Sequence, residues 1–483
     1  MKTLIDLLEY HSKNTPKKNA IITYDDALTY QQLSEQSSKF QNSLNDFSKN
    51  SVVSLMFENS TNFVVSYIGI LKAGLTAHVL SPNISRQNLL FQIKNSESQL
   101  LVTQNLDFSS LKNTDSFIKV KQFDDMLSKD DYTDPEILSN NFAHLLYTSG
   151  TTSEPKGVGI THSNIIFTLK NIISVLGYSS NDISLSPLPL SHSFGLGCLN
   201  TNLYTGGQLI LLNNASNLDE ILETIQKFSV STLAAVPATL IKLLKSHKNK
   251  IQNELKDLRL LITNSTSVPP EIVSEYKTIL KNGNLATYYG LTEASRSTFM
   301  IFENHLDNDT SVGKPAPDVE IKIKNKHNDI GEIWIKGSNV IKEYWNDSSG
   351  NENFMHDWIK TGDLGYFDKQ GFLYLSGRLD NVVNIGGEKV FPEYVEKIIK
   401  QNSGIEEVVI IGQKHNVLGH TLKAFVKLNP QSTLKKSDIL SFCIKNLEKH
   451  MVPLKIELVD DFPVTEYGKI KRFLLCSEEL KND

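Results

Sequence analysis

Cysteine is scarce in this chain, which has three in 483 residues, at Cys198, Cys443 and Cys476. Three widely spaced thiols supply neither the paired framework of a disulfide-stabilised domain nor the closely spaced ligands of a structural zinc site. We therefore expect a protein of a reducing compartment that is held together by an ordinary hydrophobic core.

Long apolar runs are absent as well. No stretch approaches the roughly 18 apolar residues that a membrane-spanning helix requires. Charged residues interrupt positions 1–20, where a signal peptide would carry its apolar segment. The sequence therefore predicts a cytoplasmic protein with no integral membrane segment.

An excess of charge of one sign is also missing, since 49 basic and 54 acidic residues give a net charge of −5. So weak a field attracts neither nucleic acid nor an anionic membrane, so we expect no nucleic-acid partner. Any anion is expected to bind in a local pocket. Arginine is rare and occurs only at Arg86, Arg259, Arg296, Arg378 and Arg472.

The sequence does contain enough chain for at least two domains, because a single core stops growing well below 483 residues. A composition of 40% hydrophobic and 21% charged residues excludes a disordered chain, a collagen-like repeat or a coiled coil. Apolar runs of strand length at 51–57 and 100–103 alternate with helical patterns such as 62–73. This alternation predicts an α/β fold with largely parallel sheets.

The pattern changes toward the carboxyl end. A second set of strands, at 321–323 and 332–336, is followed by turn-rich sequence, which predicts antiparallel pairing. Beyond it, strands at 408–411 and 422–427 and a helix at 436–449 predict a small α+β domain. We therefore divide the chain into domains spanning 1–379 and 380–483.

The sharpest motif is the segment 147–157, which reads YTSGTTSEPKG. It follows an apolar strand at 142–146 and precedes a helix that we expect to be capped by Thr161 or Ser163. Backbone N–H groups and hydroxyls of such a loop can surround phosphate oxygens, and a lysine adds positive charge. The loop is not of the Walker type, because Pro155 precedes the lysine and a glycine follows it. The predicted phosphate-binding residues are Thr148, Ser149, Gly150, Thr151, Thr152 and Lys156.

Further motifs follow in order: YYGLTE at 288–293, WIKTGDLG at 358–365, GRLD at 377–380, NIGGEKVFP at 384–392 and PVTEYGKIKR at 463–472. With these motifs the chain resembles the adenylate-forming enzymes, the family of acyl-CoA synthetases, aryl-acid ligases, adenylation domains of non-ribosomal peptide synthetases and firefly luciferase. The resemblance covers nearly the whole chain. It implies a large N-terminal domain of doubly wound, mostly parallel sheets with a small β-barrel-like subdomain, then a small mobile α+β C-terminal domain.

The resemblance also implies a nucleotide site. Tyr289 is expected to lie against adenine, Thr292 to contact the α-phosphate and Glu293 to ligate Mg²⁺, for which a hard carboxylate oxygen is suited. Asp363 is expected to accept both ribose hydroxyls, and Arg378 to reach the ribose and phosphate. The implied cofactors are ATP and Mg²⁺.

An acyl pocket is implied by two further segments. The segment 187–195, PLPLSHSFG, resembles the one whose histidine borders the pocket, so His192 is a candidate together with Gly290. Where many relatives carry a glycine-rich loop, this chain has Asn264 and Ser265, which should narrow or polarise the pocket. No aspartate lies between positions 187 and 197, which argues against an α-amino acid substrate because its buried ammonium would lack a counter-charge. The nearby Arg296 and the segment 343–346 receive no chemical role.

The C-terminal motifs imply the moving parts. Lys469 matches the adenylation lysine, Asp380 the hinge residue, and Gly386 and Gly387 the loop that admits the thiol in the second half-reaction. Two adjacent glycines would allow the backbone to approach a narrow thiol channel.

We therefore expect an ATP-dependent carboxylic acid:thiol ligase. It would form acyl-AMP with release of pyrophosphate, and then transfer the acyl group to the pantetheine thiol of CoA or of a separate acyl or peptidyl carrier protein. One alternative is a stand-alone adenylation enzyme that loads only a carrier protein. Another is a non-catalytic nucleotide- and acyl-binding sensor, against which Lys469, Glu293 and Asp363 count. The motifs leave the acid and the thiol open.

Overall fold

The structure is a computed structural model of the chain. It describes residues 2–104, 118–127, 135–148, 155–264, 268–302, 308–327, 329–347, 352–385, 388–415, 419–464 and 470–477. Among these residues, no helix combines the length and the apolar character needed to cross a membrane.

The chain divides into two compact units. The first comprises Met1–Gly150, Glu154–Glu320 and Ile335–Ile359, and the second comprises Thr151–Ser153, Ile321–Trp334 and Lys360–Asp483. The second unit thus includes the whole of the predicted domain 380–483 together with earlier residues. The position of the hinge at Asp380 is not tested by this division and stays a prediction.

The strands are numbered in chain order. They are β1 (Asn19–Ile22), β2 (Ala27–Thr29), β3 (Val52–Met56), β4 (Thr76–Leu80), β5 (Leu100–Thr103), β6 (Lys119–Gln122), β7 (Phe142–Tyr147), β8 (Gly157–Thr161), β9 (Ile183–Ser186), β10 (Gln208–Leu211), β11 (Thr232–Ala234), β12 (Leu260–Thr263), β13 (Asn284–Tyr289), β14 (Thr298–Ile301), β15 (Lys314–Pro315), β16 (Glu320–His327), β17 (Ile330–Lys336), β18 (Phe354–Met355), β19 (Trp358–Phe367), β20 (Leu373–Arg378), β21 (Val383–Ile385), β22 (Glu388–Val390), β23 (Ile405–His415), β24 (Gly419–Leu428) and β25 (Lys455–Leu458).

The helices are numbered in the same way. They are α1 (Leu4–Asn14), α2 (Tyr30–Asn42), α3 (Thr61–Lys72), α4 (Arg86–Ser96), α5 (His162–Leu176), α6 (Ser193–Thr205), α7 (Leu218–Phe228), α8 (Pro237–Glu254), α9 (Pro270–Ile279), α10 (Pro392–Ile399), α11 (Lys436–Asn446) and α12 (Arg472–Ser477). Of the two caps expected for α5, Thr161 is the one used: its hydroxyl accepts from the N–H of Asn164, whose side chain accepts from the N–H of Thr161.

Two large sheets of mainly parallel strands form the first unit. The six-stranded sheet has the order β6-β5-β3-β4-β7-β8, and its β7 and β8 pair antiparallel. The nine-stranded sheet has the order β15-β14-β13-β12-β11-β9-β10-β1-β2, with antiparallel pairing only among β13, β14 and β15 and between β1 and β2. All residues of β3 and β4 are buried, as is typical of parallel strands covered on both faces.

A smaller sheet has the order β16-β17-β19-β18, with β20 paired antiparallel to β19. The antiparallel strands expected in this region are therefore present.

The C-terminal part of the second unit contains a three-stranded sheet, β23-β24-β25, beside the hairpin β21-β22. Along β23, Val408 and Ile410 join one hydrophobic cluster, whereas Val409 and Ile411 join another. The continuous apolar run is thus a strand buried on both faces. The helix predicted at 436–449 ends earlier, as α11, and a separate 3₁₀ turn follows at Lys449–Met451.

Candidate active site

The phosphate-loop motif connects β7 to β8 in the first unit. At its base, the N–H of Thr148 donates to the carbonyl of Lys156 at 3.0 Å, so the two described ends of the loop are held together. The strand predicted at 142–146 is present as β7, whereas its antiparallel partner β8, which follows the loop, was not predicted. The other predicted phosphate-binding residues, Ser149, Gly150, Thr151 and Thr152, lie outside the described residues.

Lys156 lies beside a segment that the sequence analysis left without chemistry. Its Nζ is 4.8 Å from the ring centroid of Tyr344 and 3.9 Å from Oδ2 of Asp347. The next residue is fixed by the same segment, because the N–H of Trp345 donates to the carbonyl of Gly157 at 2.8 Å. A Cβ at Gly157 would lie 2.9 Å from Cβ of Trp345, so only glycine permits this approach. The lysine is thus positioned by strand pairing as well as by charge.

Glu293 is held in a tight turn after β13. Leu291 and Ala294 exchange backbone hydrogen bonds across this turn, and the carbonyl of Glu293 accepts from the N–H of Ile341 at 3.0 Å. Its side chain is only 9% exposed, and its Oε1 accepts a 2.8 Å hydrogen bond from the hydroxyl of Tyr344. Hydrogen bonds therefore hold Glu293 at both its backbone and its side chain.

Tyr344 is the site residue that sequence reasoning missed. Burial, together with the charge of Glu293, raises the pKa of its hydroxyl well above the ordinary value, so the hydroxyl stays protonated as a donor. One tyrosine thus contacts Glu293 through its hydroxyl and Lys156 through its ring. The sequence carries no signal for this contact, because 51 residues separate Tyr344 from Glu293.

The residues around Glu293 fit a magnesium ion shared with a nucleotide. Magnesium is usually bound by one or two carboxylates, with phosphate oxygens and water as the other ligands. Among the described residues, no group of three or more His, Cys, Asp and Glu side chains could hold a metal ion by itself. A single fixed carboxylate, joined to Lys156 through the contacts of Tyr344, is the donor set that this mode of binding requires.

The predicted adenine and acyl residues lie at the end of β13. Tyr289 is the last residue of this strand and is buried. A Cβ at Gly290 would lie 2.5 Å from the backbone nitrogen of Arg296 and 2.6 Å from the carbonyl oxygen of Ala294, so the turn requires glycine here. Asn264 donates from Nδ2 to the carbonyl of Tyr288 at 3.0 Å, while Ser265 lies outside the described residues. The structure therefore brings Asn264 to the same strand end as Tyr289 and Gly290.

Two further candidate residues, His192 and Thr292, also lie in the first unit. His192 is half-buried at the N-cap of α6, where its carbonyl accepts from the N–H of Leu196 at 2.8 Å. Thr292 lines a cavity of about 500 Å³, a volume that includes its open mouth. Both residues thus belong to the same unit as Thr148, Lys156 and Glu293.

In the second unit, Asp363 and Arg378 face each other on the paired strands β19 and β20. Nη1 of Arg378 is 2.9 Å from Oδ1 of Asp363, and Nη2 is 3.4 Å from Oδ2 of Asp380. Burial by itself lowers the pKa of an arginine, but these two carboxylates raise the pKa of Arg378 above its ordinary value. The structure therefore brings the predicted ribose residue, its arginine and the predicted hinge residue together.

Three residues predicted to act in the second unit, Gly386, Gly387 and Lys469, lie outside the described residues. Their roles, like those of the residues placed above, remain predictions.

Comparison with known proteins identifies the family. A model of the AMP-binding enzyme matches residues 8–345, and a model of the AMP-binding enzyme C-terminal domain matches residues 394–469. The oxalate–CoA ligase of Arabidopsis thaliana is 30% identical over 460 residues, covering 89% of this chain and 88% of that protein. A long-chain-fatty-acid–CoA ligase of Bacillus subtilis is 28% identical over 541 residues, covering 100% of this chain and 95% of that protein.

A solved structure is similar over nearly the whole chain. The o-succinylbenzoate coenzyme A synthetase of Bacillus subtilis, in complex with ATP and magnesium ion, superimposes with a TM-score of 0.87 at 27% identity and covers 97% of this chain and 99% of that one. The predicted mixed α/β fold, the resemblance to adenylate-forming enzymes and the acid–thiol ligase class with ATP and Mg²⁺ are confirmed by these matches. The chain belongs to the AMP-binding enzymes, the adenylate-forming family.

Proposed function

We propose that this enzyme activates a carboxylic acid as its acyl-AMP and transfers the acyl group to coenzyme A. The observation that carries the proposal is the position of Tyr344 between Lys156, whose ammonium suits a phosphate, and Glu293, whose carboxylate suits magnesium. The relatives named above are ligases that use CoA, which supports CoA over a carrier protein as the acceptor. A cytoplasmic location fits this acceptor and the absence of a membrane-spanning helix among the described residues.

In the first half-reaction, a carboxylate oxygen of the acid attacks the α-phosphorus of ATP. An oxygen–phosphorus bond forms, the bond from the α-phosphorus to the bridging oxygen breaks, and pyrophosphate leaves. The two reactants are anions that repel each other, so the protein must supply positive potential. Magnesium, when bound, neutralises phosphate charge. Lys156 and the hydroxyls and N–H groups of its loop would hold phosphate oxygens, and Tyr344 would keep the Glu293 carboxylate in place.

The family resemblance assigns Lys469 to the carboxylate of the acid that attacks the phosphorus. Its ammonium would balance the charge that the carboxylate brings to the phosphorus. Asp363, held by Arg378, would accept the ribose hydroxyls and so fix the nucleotide for in-line attack. These groups act by position and charge, and no covalent bond to the enzyme forms.

In the second half-reaction, the thiol sulfur of CoA attacks the acyl carbon of the adenylate. The bond between the acyl carbon and the phosphate oxygen breaks, AMP leaves with the electron pair, and the thiol proton passes to solvent. Rotation near Asp380 would withdraw Lys469 and bring the loop with Gly386 and Gly387 to the thiol. The relatives act on acids as different as oxalate and long-chain fatty acids, so their names do not select the acid for this enzyme.

The test is ATP–pyrophosphate exchange across a panel of carboxylic acids, followed by addition of CoA. We expect exchange that requires an acid and Mg²⁺ but no thiol, and release of AMP with loss of free thiol once CoA is added. Absence of exchange with every acid, combined with measurable ATP binding, would favour a nucleotide-binding sensor. Exchange without any CoA-dependent AMP release, but with acylation of a pantetheinylated carrier protein, would overturn CoA as the acceptor.

A further inference from the structure

Arg296 is a buried arginine in the first unit, three residues beyond Glu293. Its side chain is only 6% exposed. Its backbone has a φ of 55°, in the left-handed region that non-glycine residues rarely adopt. Such a conformation costs free energy and is often found at functional sites. The residue is therefore held in an unfavourable backbone conformation that directs its side chain inward.

Within the described part of the chain, the partners of the Arg296 guanidinium are neutral. Nη1 donates to Oγ of Ser295 at 2.8 Å, Nη2 donates to the carbonyl of Ser193 at 3.5 Å, and the guanidinium carbon lies 4.7 Å from the ring centroid of Tyr288. No carboxylate in the described part of the chain forms an ion pair with it. A buried charge without a counter-charge is strongly unfavourable, so this site calls for an anion.

Other arginines of this chain are partnered differently. Arg259 pairs with Asp182, Arg378 with Asp363 and Arg472 with Glu396, each through contacts of 2.6–2.9 Å. Arginine is thus used elsewhere in the chain to hold a carboxylate. Arg296 is the most deeply buried of these four arginines, yet its guanidinium contacts no carboxylate among the described residues.

Helix α6 makes room for the guanidinium. A Cβ at Gly197 would lie 2.0 Å from Nη2 of Arg296 and 2.6 Å from its Cζ. Glycine is unfavourable inside a helix, so its presence here needs a packing reason. The reason is the guanidinium, which occupies the space that any larger side chain at position 197 would fill.

Arg296 also lines the cavity that Thr292 borders. Ser193 and Ser295 line the cavity near the cation. Helix α5 contributes the aliphatic side chains of Ile165 and Leu169 as well as the polar Asn164 and Thr168. Thr292, aliphatic side chains of α5 and the buried guanidinium of Arg296 thus line the same cavity.

We infer that the acid activated by this enzyme is a dicarboxylic acid, whose second carboxylate is bound by the guanidinium of Arg296. This inference rests on the proposed function. The planar guanidinium matches a carboxylate in two parallel hydrogen bonds, and the aliphatic side chains that α5 contributes suit the carbon chain that joins the two acid groups. The reacting carboxylate then lies toward Thr292 and the nucleotide, and the other carboxylate lies toward Arg296.

A phosphate of the nucleotide is the other anion that could meet this guanidinium, and kinetics separates the two sources. If Arg296 binds the second carboxylate, its loss raises KM for the diacid and leaves KM for ATP unchanged. If it binds a phosphate, its loss raises KM for ATP with every acid. A rise in KM for ATP without a change in KM for the diacid would therefore overturn the inference.

The test compares diacids with monoacids of the same length, such as glutarate with valerate, adipate with hexanoate and phthalate with benzoate, in ATP–pyrophosphate exchange. We expect at least one diacid to exceed its monoacid partner in kcat/KM by about 10-fold or more. In Arg296→Gln we expect kcat/KM for that diacid to fall by about 10- to 100-fold, through KM, because a hydrogen-bonded charge pair is lost. The monoacid should change by less than about twofold.

Further variants keep the test independent of folding. Gly197→Ala should displace the guanidinium and reduce diacid use while Arg296 is retained, and Arg296→Lys should recover part of the diacid activity. Arg86→Gln removes an exposed arginine of α4 and should leave every kinetic constant unchanged. Equal use of diacids and monoacids by the wild type, or equal loss of both in Arg296→Gln, would overturn the inference while the proposed function stood. Absence of exchange with every acid would instead overturn the proposed function.

Discussion

Arg472 holds the carboxylate of Glu396 with both terminal nitrogens, at 2.6 Å from Oε1 and 2.7 Å from Oε2. The same arginine donates to the carbonyl of Ile410 at 3.0 Å, and Oε1 of Glu396 accepts from the N–H of Ile410 at 2.7 Å. Helix α10, strand β23 and the start of α12 are thus joined through one charge pair. Lys469, the proposed adenylation lysine, precedes Arg472 by three residues in the sequence.

Replacing Arg472 by Met should destabilise the second unit by about 3 kcal/mol, because Glu396 would be left as a buried charge without a partner. Hydrogen exchange in α10 and β23, measured with and without urea, checks this expectation. The double variant Arg472→Met with Glu396→Gln should recover part of the loss, since the glutamine is neutral and keeps an acceptor for the N–H of Ile410. Equal stability of the single and double variants would show that the charge pair is not the cause.

The strands and helices that the sequence predicted are present in the structure, but the ends of several differ from the prediction. The apolar run at 408–411 was predicted as a strand, whereas β23 extends over Ile405–His415 because its polar ends pair with β24. The helix predicted up to 449 ends at Asn446. Hydrophobic periodicity marks the buried part of an element, whereas its ends depend on partners that are distant in the sequence.

In the candidate site, too, the sequence indicates single residues but not their contacts with distant residues. Motifs located Glu293 and Asp363 because each lies in a short characteristic segment, but no motif indicates that Tyr344 donates to Glu293 or that Gly197 lies against Arg296. Arg296 was noticed only for its rarity and its proximity to the YYGLTE segment. Contacts between residues 51 or more positions apart become visible only once the sheets bring them together.

Tyr344→Phe should weaken the use of magnesium rather than abolish activity. Loss of the 2.8 Å hydrogen bond frees the Glu293 carboxylate to rotate, and loss of such a supporting partner typically costs about 10-fold in metal affinity. We therefore expect the Mg²⁺ concentration for half-maximal exchange to rise by about that factor, with a smaller change in KM for the acid. Because the pKa of Tyr344 is raised, the effect should be the same from neutral to mildly alkaline pH.

The matched control for Tyr344 is Tyr24→Phe, since Tyr24 is 88% exposed. It removes the same hydroxyl from the surface and should leave the Mg²⁺ dependence unchanged. If Tyr344→Phe shows the wild-type Mg²⁺ dependence, the hydroxyl does not position a magnesium ligand.

Lys469→Ala should separate the two half-reactions. The variant should lose ATP–pyrophosphate exchange by about 100-fold or more, because the charge that balances the attacking carboxylate is gone. It should still convert supplied acyl-AMP and CoA to acyl-CoA, since the proposed rotation near Asp380 would withdraw the lysine before that step. Equal loss of both steps would show that the lysine supports the structure instead.

Gly387→Trp is the complementary variant and should spare exchange while slowing thiol transfer.

Three buried histidines should make the first unit sensitive to acid. Burial lowers the pKa of His78 and of His144 to about 3 and that of His162 to about 4, from an ordinary value of 6.5. Between pH 6.5 and about 4, the unfolded chain therefore binds protons that the folded chain does not. The free energy of unfolding must fall as pH falls through this window, by up to about 1.4 kcal/mol per pH unit for each histidine.

The variant His78→Gln tests one of these contributions. Removing a single histidine should reduce the stability loss between pH 6.5 and pH 5 by up to about 2 kcal/mol, measured by urea unfolding at both values. Its stability at pH 7 should be lower than that of the wild type, because the contact of the His78 ring with Oγ of Ser54 at 2.9 Å is altered, so the informative quantity is the difference between the two pH values. His356→Gln, which removes an exposed histidine, should leave that difference unchanged. If His78→Gln loses as much stability on acidification as the wild type, then His78 is protonated in the folded enzyme and its burial does not control the acid response.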